Sequence, residues 1–539
     1  MLIGLSGHRF AHQTHKQQFI ATLDWSLTML RSPNIGFILL GLLLFCPNQV
    51  TFAQAKSYGI RHYDLLIEPD FMSKTISVTA SAEIQNPAFQ TSFSFGLNDR
   101  YETVNVNSDS SSVMIQRANR SITVTTSRPT KEFTLVFRLG GKLGRSDDEE
   151  REVVTDSSLF LLWSDRFYPI DFERWTTVKT EVVVPTGFQV IAPGSMTKSE
   201  LSGSNTRFVF ESATPTVKFS VLADTRWIRT RKQVNGIQMQ TLLYPGSGRF
   251  VDQIFRTSSE ILQFYSSTFC PYPFEEFSFV TVDGMYARRA FPGFVGYEPR
   301  YLEKEFTTTG HDAHETSLLW WGYIIHGSGP GSFQWTEGLG DYAEILYDEQ
   351  YKKPIPKIFA KFRSEYLSLP AEQDVPYTEL TGNTPQKILH GKYPWLMHVV
   401  RYVIGDSAFH KVMKMVFQRF RFRTFSMAEF ISTLEKGSGQ SLRWWRDEWL
   451  NRKGVPEIAM KSRVQRTNSG YRITCILEQR GNIYHIPLEI GIESLEGAQV
   501  EKVNLQERQM TFTFESKEEP LGVVLDPRGW LLAKKTSLE

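Results

Sequence analysis

The residues most able to do chemistry lie close together. His314-Glu315 stands in HDAHETSLLWWG (311–322) and Glu337 in WTEGLGDYAEIL (335–346). On a helix, positions i and i+4 share a face, so two imidazoles so spaced can converge on one ion. A glutamate beside the first can then polarise an ion-bound water. Here Leu318 occupies the i+4 position, and Glu337 follows after eighteen further residues. His311, one turn before His314, is a further imidazole that fits either a ligand or an exposed helix start. A His-Glu pair alone carries little, since an ordinary polar helix surface contains the same residues.

The elements that must position these residues fall into three stretches. Residues 56–225 read as strands: DLLIEP (64–69), TISVTASAEI (75–84), SITVTTS (121–127), FTLVFRL (133–139), VKTEVVVP (178–185) and VKFSVLA (217–223) are short, often alternating, and separated by turn residues. From about residue 250 the spacing becomes helical, beginning with RFVDQIFRTSSEILQFYSSTF (249–269), so 226–455 is expected to be mainly helical, with a short strand at FSFVTV (277–282). The basic run RWIRTRK (226–232) reads as a solvated linker or an interdomain contact, and His326 as part of a Gly-rich loop between the two site helices. Alternation returns in YRITCILEQ (471–479), IPLEIGIES (486–494) and MTFTFES (510–516), and VVLDPRGWLL (523–532) closes a small β-sandwich over 456–539.

With these surroundings, the His314-Glu315…Glu337 register resembles the gluzincin zinc aminopeptidases, the group of the alanyl aminopeptidases and leukotriene hydrolase. RHYDLLIEPDFMSKTISVTASAEI (61–84), FYPIDFERWTTVKTEVVVPTGFQVIAPGS (167–195), TPTVKFSVLA (214–223), STFCPYPFEEFSFV (267–280), KYPWLMHVVRYVIGDSAFHKVM (392–413) and FSMAEFISTLEKGSGQSLRWWRDEWLNRKGVPEI (425–458) resemble successive parts of that family in the same order. The resemblance implies an α+β multidomain fold: an N-terminal β-domain (56–225), a thermolysin-like, mainly helical domain (226–455) and a C-terminal β-sandwich (456–539). It implies zinc as cofactor, His314 and Glu337 as metal ligands and Glu315 as general base. It also places Leu318 in the slot of the second zinc histidine, which leaves the ligand set incomplete. His390, in HGKY (390–393), stands where the family's catalytic tyrosine stands, and Ala290 where its amine-binding glutamate stands.

Three readings follow. The chain is a non-catalytic pseudopeptidase that binds a peptide or protein in its cleft; or a rewired metallopeptidase with His314, Glu337 and His390 around an ion and Glu315 as base; or an inert module whose cleft is plugged by Trp320, Trp321 and Phe291.

The bulk numbers set outer limits. The 539 residues suggest about three domains, and 41% hydrophobic with 22% charged residues suits globular cores. A net charge of +2 gives no argument for nucleic acid. Residues 36–45 (GFILLGLLLF), preceded by Arg31 and followed by Ala53-Gln54-Ala55, have the order of a secretory signal peptide spanning 1–55, with Met29 as a possible start. That predicts an exported protein, periplasmic or secreted, with a membrane anchor as the alternative. Beyond it no apolar run is long enough to span a bilayer. Cys270 and Cys475, some 200 residues apart, read as buried free thiols.

Overall fold

The computed structural model describes residues 58–537 apart from 147–150, 352 and 354. The signal-peptide segment expected at 1–55 lies outside the described residues.

Period-two sequence builds the first layer. In Thr75–Gln85 the alternate residues Ile76, Val78, Ala80, Ala82 and Ile84 are buried and their neighbours are not, as expected for a strand with one face on a core. It pairs antiparallel with Gly59–Asp70, which pairs parallel with Thr176–Pro185. The full seven-stranded order is Ser195–Ser202, Asn205–Thr216, Thr176–Pro185, Gly59–Asp70, Thr75–Gln85, Glu132–Gly141, Tyr101–Ser108. A three-stranded sheet (Ser92–Gly96, Ser121–Thr126, Val113–Ala118) sets Phe93 and Phe95 edge-on against Phe133 and Phe137 at 5.2 and 5.4 Å. These two sheets enclose one apolar cluster. Of the expected strand 217–223, only Val221–Asp224 is extended in a sheet.

The next stretch is less purely helical than expected. It holds a five-stranded sheet in the order Ile228–Val234, Ile237–Leu243, Glu276–Thr281, Phe294–Tyr297, Arg288–Phe291. The basic run 226–232 is therefore largely the first strand of this sheet. It still reaches the N-terminal β-region, because Arg229 donates to the Gln189 side chain (3.0 Å) and the Val190 carbonyl (2.8 Å). Asn235 and Gly236, both at positive φ (52° and 82°), form the two-residue turn of the first hairpin, the geometry that favours Asn-Gly.

Eight α-helices follow among the described residues: α1 (Val251–Thr268), α2 (Pro299–Thr308), α3 (Ala313–Leu318), α4 (Ser332–Gln350), α5 (Ile355–Leu367), α6 (Tyr393–Ile404), α7 (Asp406–Phe420) and α8 (Met427–Ser438). Three wider π-helical turns occur among the described residues: Leu319–Ile324, continuing α3, Ile388–Lys392, leading into α6, and Trp445–Leu450. None of the described helices is long and apolar enough to cross a membrane.

The C-terminal strands form two sheets, Gln509–Ser516, Gly470–Arg480, Glu457–Thr467, Lys534–Ser537 and Gly497–Leu505, Ile486–Ser494, Gly522–Leu525. The expected strand 523–532 ends at Leu525. The chain turns at Asp526 and Gly529, both at positive φ, and lays Trp530 flat on His398 of α6 at 4.0 Å and 13°. The apolar cluster of the helices runs without a break into these sheets. Cys270 and Cys475 are free and buried, as read from the sequence.

Candidate functional site

Glycine brings the site helices together. A Cβ on Gly340 of α4 would lie 2.9 Å from Leu318 Cδ2 and 3.3 Å from His314 Cε1, and one on Gly338 would lie 2.4 Å from Tyr393 Cβ of α6. Real Cβ atoms do not come within 2.4 Å of one another, so glycine at 338 lets α4 and α6 converge, while the tip of Leu318 packs close over Gly340. The start of α3 is fixed by Asp312, whose carboxylate accepts from Thr316 (2.8 Å) and Ser258 (3.4 Å).

On α4 the acids Glu337, Asp341, Glu344 and Asp348 recur at intervals of four, three and four, so they share one helix face. That face meets the histidines. His314 lies with Nε2 3.4 Å from Glu337 Oε2 and Nδ1 2.8 Å from Asp341 Oδ1, the latter off the line of a ring N–H hydrogen bond. His390 places Nδ1 2.7 Å from the other Asp341 oxygen and Nε2 3.0 Å from the Gln386 side-chain oxygen. Asp341 thus lies between two imidazoles. Burial works against its charge, but His314 and then His390 outweigh this and hold its carboxyl down to about 2. Burial likewise opposes a charged His314, and Asp341, then Glu337, overturn that and raise it well above the ordinary imidazole range.

Glu315 points differently. It accepts from Arg288 Nε at 3.1 Å, and Arg288 also pairs with Glu305 at 3.1 Å. Burial raises the Glu315 carboxyl, with His314 and Arg288 pulling the other way. Glu315, Leu318 and Glu337 all border a cavity of about 560 Å³. The wall facing them comes from the N-terminal β-region, including Trp163, Phe172 and Lys218.

The structure thus brings His314, Glu315, Leu318, Glu337 and His390 into one place. His311, by contrast, is neither exposed nor near the cavity. It is buried, with Nε2 2.9 Å from Asp348 and 2.6 Å from Lys353 Nζ. His326 is buried on a short strand (Ile325–Gly327), bonded to the Gly327 and Phe172 carbonyls and stacked on Trp175 at 4.8 Å. Trp320 and Trp321 face the core and do not border the cavity, and Phe291 is fully buried against Phe294 at 4.5 Å. The cleft beside Glu315 is open, against the plugged reading.

A zinc site of a hydrolase needs three protein ligands and an open position. His314 Nε2 and Glu337 Oε2 are close enough to share an ion. The residue that borders the cavity one turn after His314 is a hydrocarbon, Leu318, and both ring nitrogens of His390 are engaged elsewhere. The three-donor set His314, Glu337 and His390 does not fit the metal in this geometry. Two other groups have metal-ligand composition with donor atoms within 4.8 Å: His314, Asp341, Glu344 and His311, Glu344, Asp348. The first does not border the cavity. The second already holds a cation, since Lys353 Nζ lies 2.8 Å from Asp348.

Solved structures share this architecture. An M1 zinc metallopeptidase of Deinococcus radiodurans, determined as a glutamate-to-alanine variant bound to a Tyr-Ser-Ala substrate, superposes with TM-score 0.66 at 16% identity over 74% of this chain and 96% of that one. The fold is that of the M1 zinc metallopeptidases. Legionella pneumophila aminopeptidase A, in complex with aspartic acid, superposes with TM-score 0.71 at 14% identity over 90% of this chain, which spans 60% of that one. A two-domain M1 zinc metallopeptidase variant bound to L-tryptophan gives TM-score 0.65 at 15% identity, over 75% of this chain and 96% of that one. No protein-family model matches the chain, and no curated protein matches it.

Within this M1 fold the sequence pointed to His314, Glu315, Glu337 and His390. It did not single out Asp341, Glu344, Arg288 or Lys218. The acid spacing on α4 was visible in WTEGLGDYAEILYDEQ. Lys218 gave no local signal, because tertiary folding alone carries it to the cavity.

Proposed function

We propose that the chain is a peptide-binding protein on an M1 peptidase fold, whose cleft captures peptide without zinc-dependent hydrolysis. The observation that carries this reading is the open 560 Å³ cavity bordered by Glu315, Glu337 and Leu318. The cavity is of the size that takes a small ligand, roughly 300–1,000 Å³, yet the donor beside it is a leucine where a third ligand is needed. The solved neighbour bound to Tyr-Ser-Ala supports peptide as the class of ligand. Chemistry by this chain's own residues is also disfavoured. Glu315 is committed to Arg288, and His390 stays bonded to Asp341 and Gln386.

A second reading has one observation in its favour. His314, Asp341 and Glu344 could hold a divalent ion behind the cavity. Set away from the cavity, such an ion would brace α3 against α4 and would not reach a substrate.

Elemental analysis of the purified chain, with hydrolysis of unblocked peptides and calorimetric peptide binding, tests the proposal. The expected outcome is zinc well below one ion per chain, no cleavage and measurable binding. One tightly held zinc with peptide cleavage overturns it. We also propose, from residues 31–55, that the protein is exported. The mass of the mature chain from its native host checks this, with cleavage after Ala55 expected.

A further inference from the structure

The M1 fold places an unusual cation in the cavity wall. Lys218 borders the same cavity as Glu315 and Glu337. Its ammonium lies 5.1 Å above the Trp163 ring. Among the described residues it has no carboxylate partner: it makes no ion pair, and burial is the one influence on its titration, lowering it to about 8. The ring nitrogens of the neighbouring His326 face backbone carbonyls, of Gly327 at 2.9 Å and of Phe172 at 3.1 Å.

Two physical facts make this position informative. A partly buried ammonium without an anion is costly, and such groups are normally paired. Lys218 also sits at φ 61°, a left-handed conformation that residues other than Gly, Asn and Asp rarely adopt. A glycine or asparagine would relieve the strain, and an apolar residue would relieve the burial. The other cation at this cavity with fully defined partners, Arg288, is matched by Glu305 and Glu315.

We infer that Lys218 is an anion anchor that receives the C-terminal carboxylate of a short peptide. The cavity lining carries both signs, with Glu315 beside Arg288 and Glu337 beside His314, and with Glu173 and Arg289 also at its border; the ammonium of Lys218 is the cation there held by burial and no ion pair. A short unblocked peptide ends in a carboxylate that such an ammonium matches. Trp163 and Phe172, which border the same wall, supply apolar surface for the last side chain. The inference rests on the peptide-binding reading and names the end of the peptide that is recognised.

Calorimetric titration of the full chain with short unblocked tripeptides, each paired with its C-terminal amide, tests it. A charge-assisted bond lost on amidation corresponds to about tenfold or more in affinity. The free acids are therefore expected to bind about tenfold tighter than the amides. Lys218→Met should bring the two within about twofold, and Lys218→Arg should keep the preference. Circular dichroism controls for folding, and the Arg variant keeps the test open if Met disturbs the bend between the two strands. Equal binding of acid and amide to the wild type overturns the anchor and leaves peptide binding standing. A preference that survives Lys218→Met assigns the carboxylate to another group and overturns it too. No binding of any peptide by the folded chain overturns both readings.

Discussion

At the scale of single residues, Leu318 decides the chemistry. It lies one turn after His314 and borders the cavity together with Glu337. Leu318→His would add an imidazole at the i+4 position that a metal-binding helix uses. The expected result is a rise in bound zinc from well below one to near one ion per chain, read by elemental analysis. His390→Ala should leave metal content unchanged, because neither ring nitrogen is free to ligate. Lys218 carries a pH signature of its own. The unfolded chain holds its proton up to the ordinary 10.5, the folded chain only up to about 8. Between those values the unfolded state binds more protons, so this site's contribution to stability rises with pH. The cost is fully present below pH 8. Lys218→Met should therefore be more stable than wild type at pH 7, and the gap should narrow between pH 8 and 10.5. Denaturant melts across that range would show it, and a gap constant with pH would contradict the assignment.

At the scale of elements, the glycines of α4 set the spacing of the site. Gly338→Ala would drive a methyl to 2.4 Å from Tyr393 Cβ. That atom sits next to the α6 backbone and has little room to yield. Overpacking of this kind costs about 1–3 kcal/mol, more than the roughly 1 kcal/mol of helix propensity that alanine brings. The variant should lose stability in denaturant melts. Elements whose burial follows a single period were legible beforehand. Thr75–Gln85 alternates without a fault, and α1 keeps Ile254, Phe255, Ile261 and Leu262 inward. Ile228–Val234 was missed because it is an edge strand, charged and largely exposed, so no alternation marks it. The Asn235-Gly236 pair after it was the available signal. The site was legible where spacing along one helix encodes it, as for His314, Glu315 and Leu318. It was hidden where separate elements meet, as for Asp341 between two imidazoles. The π-helical turns after α3 and before α6 carry no sequence signature in hydrophobic period, yet they set the orientation of the residues they hold.

At the scale of the whole molecule, the apolar clusters predict how the chain comes apart. One cluster fills the N-terminal β-region, another spans the helices and the C-terminal sheets together, and a smaller third joins Phe160, Ile191 and Leu222 of the first region to Leu242, Val280 and Phe294 of the five-stranded sheet. Segments that share a core open together. Scanning calorimetry should therefore resolve at most two main transitions and not three, with Trp530→Ala lowering the temperature of the one that contains the helices. The seam behind this expectation is wide. His398 lies between Phe359 and Trp530, each 4.0 Å from its ring, and Trp449 donates to the His485 carbonyl.

Such a seam makes the final eighty or so residues a foundation and not an appendage. A fragment cut at the end of the helices would bare an aromatic scar around His398 and Trp449, and two chains so exposed would stick to one another before either could hold a guest.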